Sequence, residues 1–85
     1  MDKFMVFKKK DCGPCKLITP VLNRIKKNRD IEFPEYYLED EGNDILAMSY
    51  GVGAVPTIVK IKEDGDITTF TGLNRRSVIE EFLFN

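Results

Sequence analysis

The chain reads as an α/β fold with the element order β-α-β-α-β-β-α, closed by a four-stranded mixed sheet in the order 2-1-3-4 with helices on both faces. Three observations predict it. The apolar run Phe4-Met5-Val6-Phe7 is followed by Ile18, Val21, Leu22 and Ile25 at the i, i+3, i+4, i+7 spacing of a one-sided buried helix. A second extended run, from Glu32 to Leu38, comes next, and strand, helix and strand make a βαβ unit whose two strands lie parallel. Further on, Glu63-Asp64-Gly65-Asp66 separates the runs Thr57 to Lys62 and Ile67 to Thr71, and Asp-Gly between two such runs is a hairpin signal.

Each element has its own warrant. Lys3 to Phe7 is apolar almost throughout, as befits a central strand covered on both faces. Lys8 to Asp11 is then a loop, and a helix runs from about Gly13 to Asn28, with Lys26, Lys27 and Arg29 at the end where cations suit the dipole. Pro20 falls inside this helix and is expected to kink it. Pro34 demotes the second strand to a sheet edge. Glu39-Asp40-Glu41-Gly42 reads as a solvated acidic turn, after which Asn43 is expected to cap a short helix reaching Tyr50 and ended by Gly51. Gly72 breaks the last strand, Asn74 is the expected cap of the final helix, and Val78, Ile79, Phe82 and Leu83 form that helix's apolar side.

Asp11-Cys12-Gly13-Pro14-Cys15-Lys16 holds the only two cysteines of the chain, spaced C-x-x-C between the first strand and the first helix. Open N–H groups and the positive dipole end at a helix start favour a thiolate at Cys12, the form that attacks disulfides. Cys15 lies one turn on and faces the same way, placed to displace a mixed disulfide formed at Cys12. A dithiol–disulfide redox site follows. Zinc takes about four ligands, and two cysteines without a histidine do not supply them within one chain; a metal shared between two chains stays open. Two ordinary buried cysteines would not need Gly13-Pro14 between them, where proline suits the first helical turn and glycine admits a close backbone approach.

Eighty-five residues with 42% hydrophobic content allow one core, hence a single domain over 1–85. No apolar run nears the length of a membrane span, and no secretory leader pattern opens the sequence. A lone C-x-x-C is the cysteine usage of a reducing compartment, so the expected location is cytoplasmic, with no membrane partner and a monomeric chain. The net charge of −1 hides an asymmetry: residues 1–30 carry nine Lys/Arg against three Asp, residues 31–85 four against eleven Asp/Glu. Lys8, Lys9, Lys10 and Lys16 are close to the cysteines. They read chiefly as a solvated rim, with a field that favours thiolate and steers acidic partners as the sharper alternative. Nothing in the pattern resembles a nucleic-acid surface.

Cys12-Gly13-Pro14-Cys15-Lys16 resembles the thioredoxin active-site motif, and Pro20 stands at the kink position of that family's helix. Gly51-Val52-Gly53-Ala54-Val55-Pro56-Thr57 is similar to the family's segment ending in a cis-proline before a strand, and Gly72-Leu73 with the Ser77 to Leu83 stretch resembles its C-terminus. The resemblance spans nearly the whole chain, and it implies a thioredoxin fold, a protein disulfide reductase, and a redox-active Cys12–Cys15 disulfide as the only reactive group, with no bound cofactor. Asp11, Gly13, Pro14, Lys16, Val55, Pro56 and Gly72 are then the supporting site residues, with a cis bond before Pro56. Disulfide-containing proteins are the implied substrates, and thioredoxin reductase or glutathione the electron donor.

The departures from the family are local. Asp11 replaces the tryptophan that usually precedes the motif, Val6 stands where a buried aspartate assists proton transfer, and that aspartate's lysine partner aligns near Tyr37. Deprotonation of Cys15 then falls to water, to Asp11 or to a nearby lysine. The expected fold starts at the first central strand, without the family's extra N-terminal strand and helix, and 85 residues is a glutaredoxin-like length. A glutathione-dependent glutaredoxin is therefore the neighbouring reading, though Gly13-Pro14 is not its usual Pro-Tyr pair and Gly72-Leu73-Asn74-Arg75 lacks its glutathione-capping residues. A non-catalytic binding module on the same fold is the third.

Overall fold

The computed structural model describes residues 1–85. Its elements are β1 (Lys3–Lys8), α1 (Gly13–Arg29), β2 (Glu35–Tyr37), α2 (Asn43–Ser49), β3 (Thr57–Ile61), β4 (Ile67–Thr71) and α3 (Arg76–Phe84). The sheet order is β2-β1-β3-β4. β1 pairs parallel with β2 and antiparallel with β3, and β3 pairs antiparallel with β4. The order and the mixed pairing are those expected from the βαβ unit and the Asp-Gly hairpin.

Alternation along the strands sorts side chains into two cores, because successive residues face opposite sides of a sheet. Phe4, Val6 and Ile58 meet Ile18, Leu22 and Ile25 of α1 and Ile79 and Leu83 of α3 on one side. Met5, Phe7 and Val59 meet Ala47 of α2 on the other. β1 is buried from Phe4 to Lys8, as a central strand between two helical layers must be. Phe7 stacks on Tyr36 across the parallel pair, while Phe4 contacts Phe33 and Phe84 on the opposite face.

Several local expectations are corrected. β1 extends through Lys8, so Lys8 is not a loop residue; it is buried, because its position in the alternation puts it with Phe4 and Val6 under α1. β2 is three residues long, and Pro34 precedes it, offering its carbonyl to the Val6 N–H while having no N–H of its own to extend the ladder. β3 ends at Ile61, one residue earlier than Lys62. Neither asparagine caps its helix. Gly42, at φ +83°, is the N-cap of α2, and the Asn43 side chain donates instead to the Tyr37 carbonyl. Arg75 precedes α3 without a side-chain cap, and the Asn74 side chain accepts only from the Arg75 N–H. α1 carries Pro20 inside its length, as expected, and ends on Asp30 in the left-handed region, whose N–H bonds to the Lys26 carbonyl.

Candidate functional site

β1 ends at Lys8, and the chain turns through Lys9 to Asp11 into α1 with Cys12 as its N-cap. Cys12 takes an extended conformation, φ −146° and ψ 110°, and its sulfur accepts the Cys15 N–H at 3.2 Å. A capping position normally offers an oxygen to such an N–H; here a sulfur takes that place, and α1 has no acidic residue in its first turn to compete for the dipole. Cys12 and Cys15 are joined by a disulfide, with Cα atoms 5.2 Å apart. Cys12 is partly exposed and Cys15 is 2% exposed. The inequality comes from the helix: Cys15 shares the inward face with Ile18, Leu22 and Ile25, and Cys12 lies before the helix proper.

Asp11, Gly13, Pro14 and Lys16 are all exposed around the pair. Pro14 lies in the first helical turn, where it displaces no helical hydrogen bond. A Cβ built on Gly13 would meet nothing within 4 Å, so the close backbone approach expected there is not made by this chain; Gly13 presents open surface.

The remaining expected site residues reach the same end of the sheet by strand register. Phe7 is the cross-strand partner of Thr57, and Thr57 is the partner of Thr71. The segment before β3 and the residue after β4 therefore flank the end of β1 that feeds the cysteine loop. Val55–Pro56 is a cis peptide bond and Pro56 is buried. Gly72, at φ +100°, where a side chain would be strained, donates its N–H to the Pro56 carbonyl at 2.8 Å. The Thr57 hydroxyl, fully buried, contacts the Ala54 carbonyl at 2.7 Å and the Thr71 hydroxyl at 2.8 Å, so Ala54 to Pro56 is held at both ends, by Thr57 and by Gly72. Val55 packs on the Met5, Phe7, Ala47 and Val59 core.

The lysine rim is the main correction at the site. Lys10 donates from its ammonium to Asp40 at 2.9 Å and from its backbone to Glu39 at 2.9 Å, which ties the cysteine loop to the turn after β2. The hydrogen bond to Asp40, followed by the charge of the same carboxylate, raises the Lys10 pKa above its ordinary value. The acidic turn is thus a partner of the loop as well as a solvated surface. Lys8 is paired with Glu35 beneath α1 and also donates to the Thr19 hydroxyl at 2.6 Å. Only Lys9 and Lys16 of the four stand exposed without an ion-pair partner. The Lys8–Glu35–Thr19 group escaped the reading of the sequence, although extending the Phe4, Val6 alternation by one step to Lys8 would have found it. No group of three or more His, Cys, Asp or Glu side chains gathers anywhere to hold a metal, and no helix is long and apolar enough to cross a membrane.

This geometry can be set beside known proteins. The family model for thioredoxin matches residues 3–85. The thioredoxin of Bacillus subtilis is 28% identical over 72 residues, covering 85% of this chain and 69% of that protein. The mitochondrial thioredoxin of Mus musculus is 32% identical over 74 residues, covering 85% of this chain and 43% of that protein. Among solved structures, an oxidised thioredoxin from Arabidopsis thaliana superposes with a TM-score of 0.82 at 25% identity, covering all of this chain and 76% of that one. Fasciola hepatica thioredoxin gives 0.80 at 29% identity, covering 96% of this chain and 77% of that one. These matches do not favour the glutathione-dependent alternative. With the fold, the cysteine pair and the family model in agreement, this chain belongs to the thioredoxin family and is a thiol–disulfide oxidoreductase, of a family that acts on disulfide substrates.

Proposed function

We propose that Cys12 is the attacking sulfur and Cys15 the resolving one in the reduction of protein disulfides. The observation that carries this reading is the Cys15 N–H aimed at the Cys12 sulfur while Cys15 itself is buried. A donor and a helix N-terminus directed at one sulfur stabilise it as a thiolate. In the first step the Cys12 thiolate attacks a substrate disulfide; that bond breaks, one substrate sulfur joins Cys12, and the other leaves with the electron pair. In the second, the Cys15 thiolate attacks Cys12, the mixed disulfide breaks, and the second substrate sulfur leaves as a thiolate. Two electrons have passed from the dithiol to the substrate, and the Cys12–Cys15 disulfide remains.

The substrate backbone lies beside Val55 and Pro56 as an added strand. Gly13, Pro14 and Gly72 leave that approach open, and Asp11 and Lys16 set its charge. Residues 1–85 work as one monomeric domain in the cytoplasm, a setting that the lone C-x-x-C supports, and need no bound cofactor. Thioredoxin reductase returns the electrons. Glutathione is the other donor that the resemblance implies, so both donors belong in the test. Turnover of insulin disulfides by the intact chain is measured with thioredoxin reductase and, in parallel, with glutathione and its reductase. Turnover is expected with the first and lost in Cys12→Ser. Turnover with glutathione alone would assign the other donor, and none with either, together with no stoichiometric reduction of insulin by the reduced chain, would overturn the proposal.

A further inference from the structure

Lys8 is a lysine whose side chain is 2% exposed, in the strand that leads to the cysteines. Burying an ammonium costs several kcal/mol before compensation, and an apolar side chain of similar volume is often neutral or stabilising in such a place. A methionine would fill the space between β1 and α1 without that cost. The charge therefore calls for an explanation beyond packing, and its surroundings provide one.

Lys8 and Cys15 line the same small cleft, of about 180 Å³, under the first two turns of α1. Thr19 joins them: its hydroxyl accepts from the Lys8 ammonium at 2.6 Å and donates to the Cys15 carbonyl at 3.2 Å. Glu35 completes the group as the ion-pair partner of Lys8. The register explains the convergence, since Glu35 pairs with Val6 and Tyr37 with Lys8 across the parallel strands, which sets all four on the α1 side of the sheet. The other ionisable groups at the cleft are Lys9, Lys10, Lys16 and Tyr37, with Lys10 already held by Asp40.

We infer that the Lys8–Glu35 pair, with its lysine buried and its glutamate open to solvent, sets the ionisation of Cys15, and with it the pH at which the mixed disulfide is resolved. The inference rests on the proposed roles of Cys12 and Cys15. Burial by itself makes the Cys15 thiol harder to ionise, and a nearby positive charge offsets that. The Lys8 ammonium supplies the charge, and Glu35 tempers it. When Cys15 gives up its proton to solvent, the sulfur keeps the electron pair that forms the bond to Cys12, and the departing substrate sulfur carries away the pair from the bond that breaks. Lys8 and Glu35 touch neither substrate nor reacting bond; they are positioning residues that act through Cys15.

The two members of the pair should act with opposite sign, and this separates an electrostatic role from a merely structural one. The reduced intact chain, with cysteine Cβ carbons labelled, is titrated by carbon NMR as wild type, Lys8→Met and Glu35→Gln. The Cys15 midpoint is expected to rise by about one pH unit in Lys8→Met, in line with the loss of one nearby opposite charge. It is expected to fall in Glu35→Gln, where the ammonium is left unneutralised. Midpoints that stay fixed, or that move the same way in both variants, would overturn the inference and leave the pair as a strut between β1, β2 and α1. Should Lys8→Met not fold, Glu35→Gln decides alone by the direction of its shift, since the glutamine oxygen and the Thr19 hydroxyl can both still accept from the Lys8 ammonium. Because the titration does not depend on turnover, it separates this inference from the proposed function: inactivity toward insulin would count against the latter only.

Discussion

At Cys12 the backbone does more than any neighbouring charge. The Cys15 N–H reaches its sulfur, the helix points its positive end at it, and the nearest carboxylate in sequence, Asp11, stands exposed. Dipole stabilisation fades within a turn, so the two cysteines should differ in reactivity although they are three residues apart. Alkylation of the reduced chain near neutral pH, mapped by mass spectrometry, is expected to label Cys12 first; preferential labelling of Cys15 would reverse the assigned roles. Lys10 offers a second check at this scale. Its pKa is raised, first by the hydrogen bond to Asp40 and then by the charge on that carboxylate. A lysine whose value is higher folded than unfolded contributes stability below its unfolded value, and that contribution disappears as the pH rises through the folded one. The pair is open to solvent, so Asp40→Asn should lower the Lys10 midpoint in an NMR titration while leaving the thermal midpoint at neutral pH almost unchanged. A large fall in thermal stability would show that the loop tie at Lys10 matters more than its exposure implies.

Among the elements, what the sequence made legible and what it did not divide along a physical line. Helical periodicity in Ile18, Leu22 and Ile25, and the Asp64-Gly65 turn, are local signals that no tertiary contact needed to override, and both elements stand where they were expected. The cysteine pair was visible for the same reason, as four contiguous residues at a strand-to-helix boundary. The asparagine caps failed because an Asx side chain has other acceptors and donors within reach, and Asn43 found the Tyr37 carbonyl instead. Lys8 reads as loop because a cation after an apolar run looks like a strand end until its partner, Glu35, is brought close by the fold; Lys60 lies inside β3 as expected and is buried there. Lys60 donates to the Phe82 and Asn85 carbonyls at 3.3 and 3.2 Å, serving carbonyls that a helix C-terminus leaves unpaired. Lys60→Met should therefore change global stability by less than about 2 kcal/mol, since desolvation of the charge is relieved as its bonds are lost. It should nevertheless speed amide exchange in the last turn of α3. Leu83→Ala, which empties a fully packed site, should instead cost about 2–5 kcal/mol. Equal losses in denaturant unfolding of the two variants would show that Lys60 anchors the core and not merely the helix end.

For the molecule as a whole, the charge asymmetry along the sequence does not become a strong field at the site. α1 is 17 residues long and so spans about 25 Å at about 1.5 Å per residue. Lys26, Lys27 and Arg29 therefore lie far beyond a Debye length of about 8 Å from Cys12. Lys10 is paired with Asp40, and Lys8 lies with Glu35 beneath α1 on the Cys15 side, which leaves Lys9 and Lys16 against Asp11 at the surface around Cys12, all exposed. Solvated charges of mixed sign act weakly, so the redox poise is governed by the helix start. There the Gly13-Pro14 spacer supplies no histidine or other side-chain donor to the thiolate. A thiolate held mainly by backbone makes the reduced form less favoured than it is in a strong oxidant. The potential should then lie nearer about −270 mV than about −120 mV. Equilibration against glutathione buffers measures it, and a value above roughly −200 mV would move the chain to the glutaredoxin or oxidant range. Asp11 disfavours the thiolate beside it, so Asp11→Asn should stabilise the reduced form and make the potential less negative. The difference between the two proteins should shrink as salt is raised toward about 1 M, where the Debye length falls to about 3 Å. A more negative potential in Asp11→Asn would mean that Asp11 assists the dithiol in some way other than through its charge on Cys12.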